Sequence, residues 1–210
     1  MDTRERPLIL ARLAQLPKGP RRVLTGRFAM NAGGCSGSNY LPSDRLTERV
    51  DARFMRVPGP SWFRLTADAG SIAVGLGVAL GAAVGRPRAA NVLFIGDGGL
   101  SMTLGDLETA ARHSIPLIVV VMNDRAYGSD WVHLEADGLS TQYAELPEID
   151  FTAVARSLGV DAVRARSVTD LESIAPRLCR RESPLVIDCR IRPDITADRL
   201  RWDRGAPLGA

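Results

Sequence analysis

Cysteine is scarce in this sequence of 210 residues. Cys35, Cys179 and Cys189 form no CxxC pair and make an odd count. A disulfide framework, a zinc site and an iron–sulfur site are therefore unsupported, and reduced intracellular thiols are the simple reading. Lysine is almost missing: Lys18 stands alone against 26 arginines. The basic residues are scattered, apart from Arg21 with Arg22 and Arg180 with Arg181, and the net charge is only +3. No nucleic-acid-binding patch is expected from that pattern. No apolar run approaches the roughly 18 residues that cross a bilayer, so no membrane association is expected. Asp2, Arg4, Glu5 and Arg6 lack an apolar stretch behind them, which argues against a secretory signal and for the cytoplasm. Repeats and low-complexity blocks are absent too.

What is present is a globular mix, with 45% hydrophobic and 24% charged residues. The length suits one domain, or at most two small ones, with a sizeable core. Residues 7–15 read as an amphipathic helix, ended by the breaker Leu16-Pro17-Lys18-Gly19-Pro20. Residues 21–25 read as a short strand. Residues 26–60, rich in Gly, Ser, Asn and Pro, read as a long irregular segment.

The pattern changes near residue 69. Residues 71–84 form a Gly/Ala-rich helical stretch, 91–95 a short strand and 96–99 a turn. Residues 102–113 predict a helix with Ser101 or Thr103 near its start. The β-branched run at 116–122 is apolar on both faces, as in a parallel sheet covered by helices. Residues 127–146 are polar and irregular. A capped helix (150–158), a strand (161–165), a helix (169–179) and a last strand (184–189) follow. This alternation predicts an α/β three-layer sandwich, with a mostly parallel central sheet flanked by helices. It would occupy residues 1–192, including the first helix and breaker at 1–20, with 193–210 as a tail.

The informative spacing is Gly96-Asp97-Gly98 followed by Asn123-Asp124. One helix and one buried strand separate the two groups. Both aspartates then fall just past the carboxyl ends of neighbouring parallel strands, where open α/β sheets bind ligands. The glycines let the backbone approach a phosphate, and a helix N-terminus points at the same place. Two carboxylates, a backbone carbonyl and diphosphate oxygens suit an octahedral Mg²⁺.

These residues resemble the diphosphate-binding motif of thiamine-diphosphate enzymes. Leu107-Glu108-Thr109-Ala110-Ala111-Arg112-His113 resembles the "ELATAVR" helix of the acetolactate synthase and benzoylformate decarboxylase group. Asn123-Asp124-Arg125-Ala126-Tyr127-Gly128 resembles the "NNxxYG" turn that follows it there. Gly70-Ser71-Ile72 and Gly81-Ala82-Ala83 resemble the glycine-rich helix ahead of the motif. The resemblance covers about residues 60–190, the pyrophosphate (PP) domain of that family.

The resemblance implies thiamine diphosphate and Mg²⁺ as cofactors. Asp97, Asp124 and the Ala126 carbonyl would be the metal ligands. Gly70, Ser71, Ile72, Gly96, Gly98, Gly99, Tyr127 and Gly128 would line the cofactor. The Gly98 and Gly99 amides would hold the diphosphate, and Ile72 would prop the cofactor in its V shape; the competing reading of Ile72 is a core residue. Ala73 replaces a usual Gly. Asp124 stands where Asn is frequent and adds a charge beside Asp97, tolerable with the metal present. Asp130 falls where family decarboxylases can carry an active-site acid, and His133 lies near it. Surface roles compete for both. Trp131 and the rest of 128–146 are the local candidates for substrate contact. His113 reads as a partner of the helix dipole. Gly33-Gly34-Cys35-Ser36-Gly37 reads as a flexible loop near the pyrimidine end, and no basic partner marks Cys35 as a nucleophile.

In the family a pyrimidine-binding (PYR) domain precedes the PP domain and supplies the glutamate that activates the cofactor. About sixty residues precede the PP block here, so the expectation is half a cofactor site. The chain would be a subunit of a split enzyme acting on a 2-oxo acid by decarboxylation or carboligation. A separate PYR-domain subunit would complete it, with two of each chain in the assembly. Two alternatives stay open. One is a non-catalytic cofactor-binding subunit with a regulatory or scaffolding role. The other is the β subunit of a 2-oxo acid oxidoreductase, ranked last because the cysteine pattern for a cluster is absent.

Overall fold

The computed structural model describes residues 28–31, 63–66, 71–86, 91–178 and 182–191. The expected helix at 7–15, the strand at 21–25, the loop with Cys35, Gly70 and the tail lie outside the described residues. The elements are β1 (Phe28–Asn31), β2 (Phe63–Thr66), α1 (Val74–Gly85), β3 (Asn91–Gly96), α2 (Asp97–Ser101) and α3 (Asp106–Arg112). Then come β4 (Leu117–Asn123), α4 (Gly128–Ala136), a 3-10 turn (Thr141–Tyr143), α5 (Phe151–Ser157), β5 (Asp161–Ala165), α6 (Val168–Leu178) and β6 (Leu185–Arg190).

The six strands form one sheet in the order β2-β1-β3-β4-β6-β5, and every neighbouring pair is parallel. Strands β3 and β4 are buried along their whole length, as their unbroken apolar runs require. Alternate side chains supply two cores, because strand side chains alternate faces. Phe94, Val120, Met122 and Ile187 pack with Leu171 and Ile174 of α6 on one face. Leu93, Ile95, Val119 and Val121 pack with Leu76 of α1, Leu107 of α3 and Phe151 of α5 on the other. The three-layer parallel α/β expectation therefore holds. Among the described residues no helix is long and apolar enough to cross a membrane.

Four local expectations are corrected. Residues 28–31, expected inside an irregular segment, are a strand held by β2 and β3; its partners are remote in sequence, so local pattern is silent. Residues 96–99 are not a free turn: Asp97 opens α2. The helix expected at 102–113 begins only at Asp106, because Thr103 and Asp106 donate to carbonyls three residues back, tighter than an α-helix, and Gly105 precedes the new start. The irregular stretch at 127–146 contains α4 and the 3-10 turn.

Three helices stop by the same device. After α3, α4 and α5 the chain takes a positive φ at Ser114 (50°), Gly138 (68°) and Gly159 (81°). The next residues, Ile115, Leu139 and Val160, donate back to Ala110, Leu134 and Ala155. This is the Schellman closure, which satisfies otherwise orphaned carbonyls.

Candidate functional site

The chain turns from β1 outward to β2 but from β3 toward β4, so the sheet reverses its winding between β1 and β3. Open parallel sheets bind ligands at such a reversal, past the carboxyl ends of the strands. Asp97 is the first residue beyond β3 there. Gly96 pairs with Met122, so Asp97 and Asp124 leave adjacent strands within one residue of the same level.

Asp97 is buried, only 2% exposed. Its Oδ1 accepts from the Gly98 amide at 2.9 Å and its Oδ2 from the Arg125 amide at 2.8 Å. These two bonds orient the carboxylate. The second bond depends on Arg125, whose φ of 62° is left-handed and turns its N–H toward β3. Asp124 Oδ1 accepts from the Ala126 amide at 3.3 Å. Glycines make room for the Tyr127 ring beside Asp97 and for the Asp124 carboxylate. A Cβ on Gly98 would lie 2.6 Å from Tyr127 Cε1, and one on Gly128 would lie 2.9 Å from Asp124 Oδ2.

The loop is tied at its far side as well. Ala126 forms an antiparallel bridge with Glu145. Tyr127 donates to the Ala144 carbonyl at 2.8 Å, and Leu146 to the Arg125 carbonyl at 2.7 Å. The excursion carrying α4 is thereby closed at its base. Asp130 lies half-buried in the first turn of α4, Trp131 is half-buried, and His133 is exposed. Ser71 and Ile72 are half-buried just before α1, which follows β2, so topology puts them at the same carboxyl edge. His113 occupies the C-cap position of α3.

The structure thus brings together Gly96, Asp97, Gly98 and Gly99 with Asp124, Ala126, Tyr127 and Gly128. The Gly98 amide, expected on a diphosphate, is engaged by Asp97 Oδ1. Among the described residues no group of three His, Cys, Asp or Glu side chains could hold a metal ion. A cation held here by Asp97 and Asp124 would have to fill the rest of its shell with carbonyl, phosphate or water oxygens. That hard donor set fits Mg²⁺, which takes few protein ligands.

Sequence reasoning missed the polar group behind Asp124. Asp188, fully buried in β6, accepts from Asn123 Nδ2 at 2.8 Å and from Arg164 Nε at 3.0 Å. Arg190 Nη1 reaches Asn123 Oδ1 at 3.5 Å, and its Nη2 donates to the Ile149 carbonyl at 3.2 Å. Arg164 also meets Asp150 Oδ1 at 2.6 Å. Burial pulls the Arg164 guanidinium down, but Asp188 and Asp150 together hold it above its ordinary range. Asp150 is pushed down to about 2, chiefly by the Thr152 hydroxyl and the Ala153 amide. The signal in the sequence is one carboxylate inside the apolar strand Leu185–Arg190.

Known proteins match this chain over much of its length. Benzoylformate decarboxylase of Pseudomonas aeruginosa is 29% identical over 135 residues, 64% of this chain and 25% of that protein. An alpha-keto-acid decarboxylase of Mycobacterium avium is 32% identical over 134 residues, 62% of this chain and 23% of that protein. This chain therefore spans about a quarter of the length of the curated relatives it matches. Among solved structures, the thiamine diphosphate-dependent 4-hydroxybenzoylformate decarboxylase of Rhodococcus jostii RHA1 superposes with a TM-score of 0.73 at 20% identity, covering 91% of this chain and 33% of that one. Benzoylformate decarboxylase from Polynucleobacter necessarius gives 0.74 at 17% identity, covering 90% and 33%. These two establish the fold. Residues 47–189 match the family described as thiamine pyrophosphate enzyme, C-terminal TPP binding domain. With the reversal-point site and a match over more than half its length, the chain belongs to the thiamine pyrophosphate enzyme family through its C-terminal, cofactor-binding domain.

Proposed function

We propose that this chain supplies the Mg²⁺- and diphosphate-holding half of a thiamine-diphosphate-dependent enzyme that decarboxylates or ligates a 2-oxo acid, and that a PYR-domain subunit completes the site. One observation carries the reading: Asp97 and Asp124 stand past the adjacent strands β3 and β4, Asp97 beside the reversal point, and the Arg125 amide that follows Asp124 donates to Asp97. The names of the relatives, which include benzoylformate decarboxylase, alpha-keto-acid decarboxylase and acetolactate synthase, support a 2-oxo acid as substrate class.

In this reading Asp97, Asp124 and the Ala126 carbonyl hold Mg²⁺. The metal offsets the repulsion of two carboxylates at one edge. Gly96, Gly98 and Gly99 let the backbone approach the diphosphate, and the Gly98 amide serves it on exchanging away from Asp97 Oδ1. Gly70, Ser71 and Ile72 flank the cofactor at the start of α1, and Tyr127 with Gly128 closes the opposite side. Bound thiamine diphosphate supplies the electron sink that lets a 2-oxo acid lose CO₂. Asp130 and His133 on α4 sit where substrate would meet residues of the partner.

The test is direct. Calorimetry with Mg²⁺ and thiamine diphosphate should give binding to the wild-type chain and none to Asp97→Ala. Mixing the chain with a PYR-domain polypeptide should release CO₂ from a panel of 2-oxo acids. Activity of this chain alone, or full activity of the mixture with Asp97→Ala, would overturn the proposal.

A further inference from the structure

A fully buried carboxylate stands in β6 between Ile187 and Cys189, in a strand otherwise apolar up to Arg190. Burying a charge there is costly unless it is paired and hydrogen-bonded. Asp188 is both: Asn123 Nδ2 and Arg164 Nε occupy its two oxygens, and Arg190 Nε lies 3.6 Å from Oδ2. Its first partner matters most. Asn123 is the last residue of β4, and Asp124 follows it directly.

Asn123 is held at three points. Its Nδ2 donates to Asp188, its Oδ1 accepts from Arg190, and its carbonyl accepts from the Ile191 amide at 3.0 Å. The same guanidinium groups reach the far end of the excursion. Arg190 donates to the Ile149 carbonyl and pairs with Glu148, while Arg164 pairs with Asp150. One buried carboxylate is thereby linked, through Asn123, Arg164 and Arg190, both to the strand end that presents Asp124 and to residues 148–150. Asp97 anchors the loop from the β3 side, through the Arg125 amide. Asp188 anchors it from the β6 side.

We propose that Asp188 is a positioning residue: acting through Asn123, it sets where Asp124 stands and hence how tightly the edge holds Mg²⁺. The proposal rests on the reading of Asp124 as a metal ligand. Removing partners that orient a metal ligand lowers affinity by about ten-fold or more. A group that merely stabilised the fold would lower unfolding temperature and leave metal affinity alone.

The experiment compares the full chain carrying Asp188→Asn, or Asn123→Ala should the first fail to fold, with two core controls. Leu171→Ala and Ile174→Val sit on α6 and bracket the loss of stability. Mg²⁺ affinity is read by calorimetry at saturating thiamine diphosphate. Amide hydrogen exchange of the peptide containing Arg125 and Ala126 is read without ligand. The expected result is Mg²⁺ binding weakened about ten-fold, with exchange of that peptide faster than in either control. The proposal is overturned if either readout follows the controls. Should the wild-type chain bind no Mg²⁺, the metal-site reading falls, and exchange alone then decides whether Asp188 positions the loop.

Discussion

The main-chain N–H of Arg125 donates to Asp97 Oδ2 at 2.8 Å, bonding the turn past β4 to the first residue past β3. That bond uses a backbone group, so side-chain identity at 125 matters only through φ. The value of 62° carries a steric cost for any residue with a Cβ and most for a β-branched one.

Substitution at 125 should therefore separate conformation from charge. Arg125→Gly should lie within about 1 kcal/mol of wild type, because relief of the left-handed cost offsets added unfolded-state entropy. Arg125→Val should destabilise by about 2 kcal/mol. Urea denaturation measures both. Equal losses would mean that the exposed guanidinium, not the backbone, holds the turn.

Gly98 and Tyr127 should be coupled. The Cβ of Gly98→Ala would meet the Tyr127 ring at 2.6 Å. A cost of about 1–3 kcal/mol is expected from overpacking. Most of it should vanish when alanine is introduced at 98 in a Tyr127→Ala background. A double-mutant cycle reads the coupling, and a cost independent of Tyr127 would contradict this origin.

The Schellman closures predict opposite signs at equivalent positions. Ser114 adopts φ 50° after α3, where glycine is favoured. Ser114→Gly should stabilise by about 0.5–1 kcal/mol. At the matching position after α5, Gly159 has φ 81°, and an added Cβ would lie 3.4 Å from the Ala111 Cβ. Gly159→Ala should destabilise by about 1–2 kcal/mol. Thermal unfolding of the two variants should shift in opposite directions.

Asp150 should give an acid-dependent contribution. Its side chain caps α5 by accepting from the Thr152 and Ala153 amides at 3.0 Å each. Its pKa is lowered from 3.8 to about 2, so the folded state binds its proton less readily than the unfolded chain. The contribution is then complete above pH 3.8 and disappears as pH falls through about 2. Asp150→Ala should cost about 1 kcal/mol at neutral pH, with the gap to wild type closing toward pH 2. The carboxylate is half exposed, so solvent screening keeps the effect small. A gap that widened in acid would refute the assignment.

Much of this was readable along the chain. The apolar runs of β3 and β4 marked a two-sided buried parallel sheet, since only such a sheet hides every side chain of a strand. The cap at Asp150 was legible because its bonds reach only two and three residues on. Spacing also placed Asp97 and Asp124 past neighbouring strands, because one helix between two strands leaves little other topology.

Other features needed partners far away in sequence. β1 exists through bonds to β2 and β3, and the excursion at 126–145 is closed by a bridge between its two ends. The positive φ at Arg125 is held by the carboxylate 28 residues back. Asp188 meets Asn123 across 65 residues, and its own neighbours in β6 advertise only an apolar core. The sequence by itself determined the strand and helix alternation and the family motif, because periodicity and short spacings are local. Only the tertiary structure decided which backbone amides orient Asp97 and which buried charge stands behind Asp124, because those bonds form between strands that meet only after the sheet has assembled.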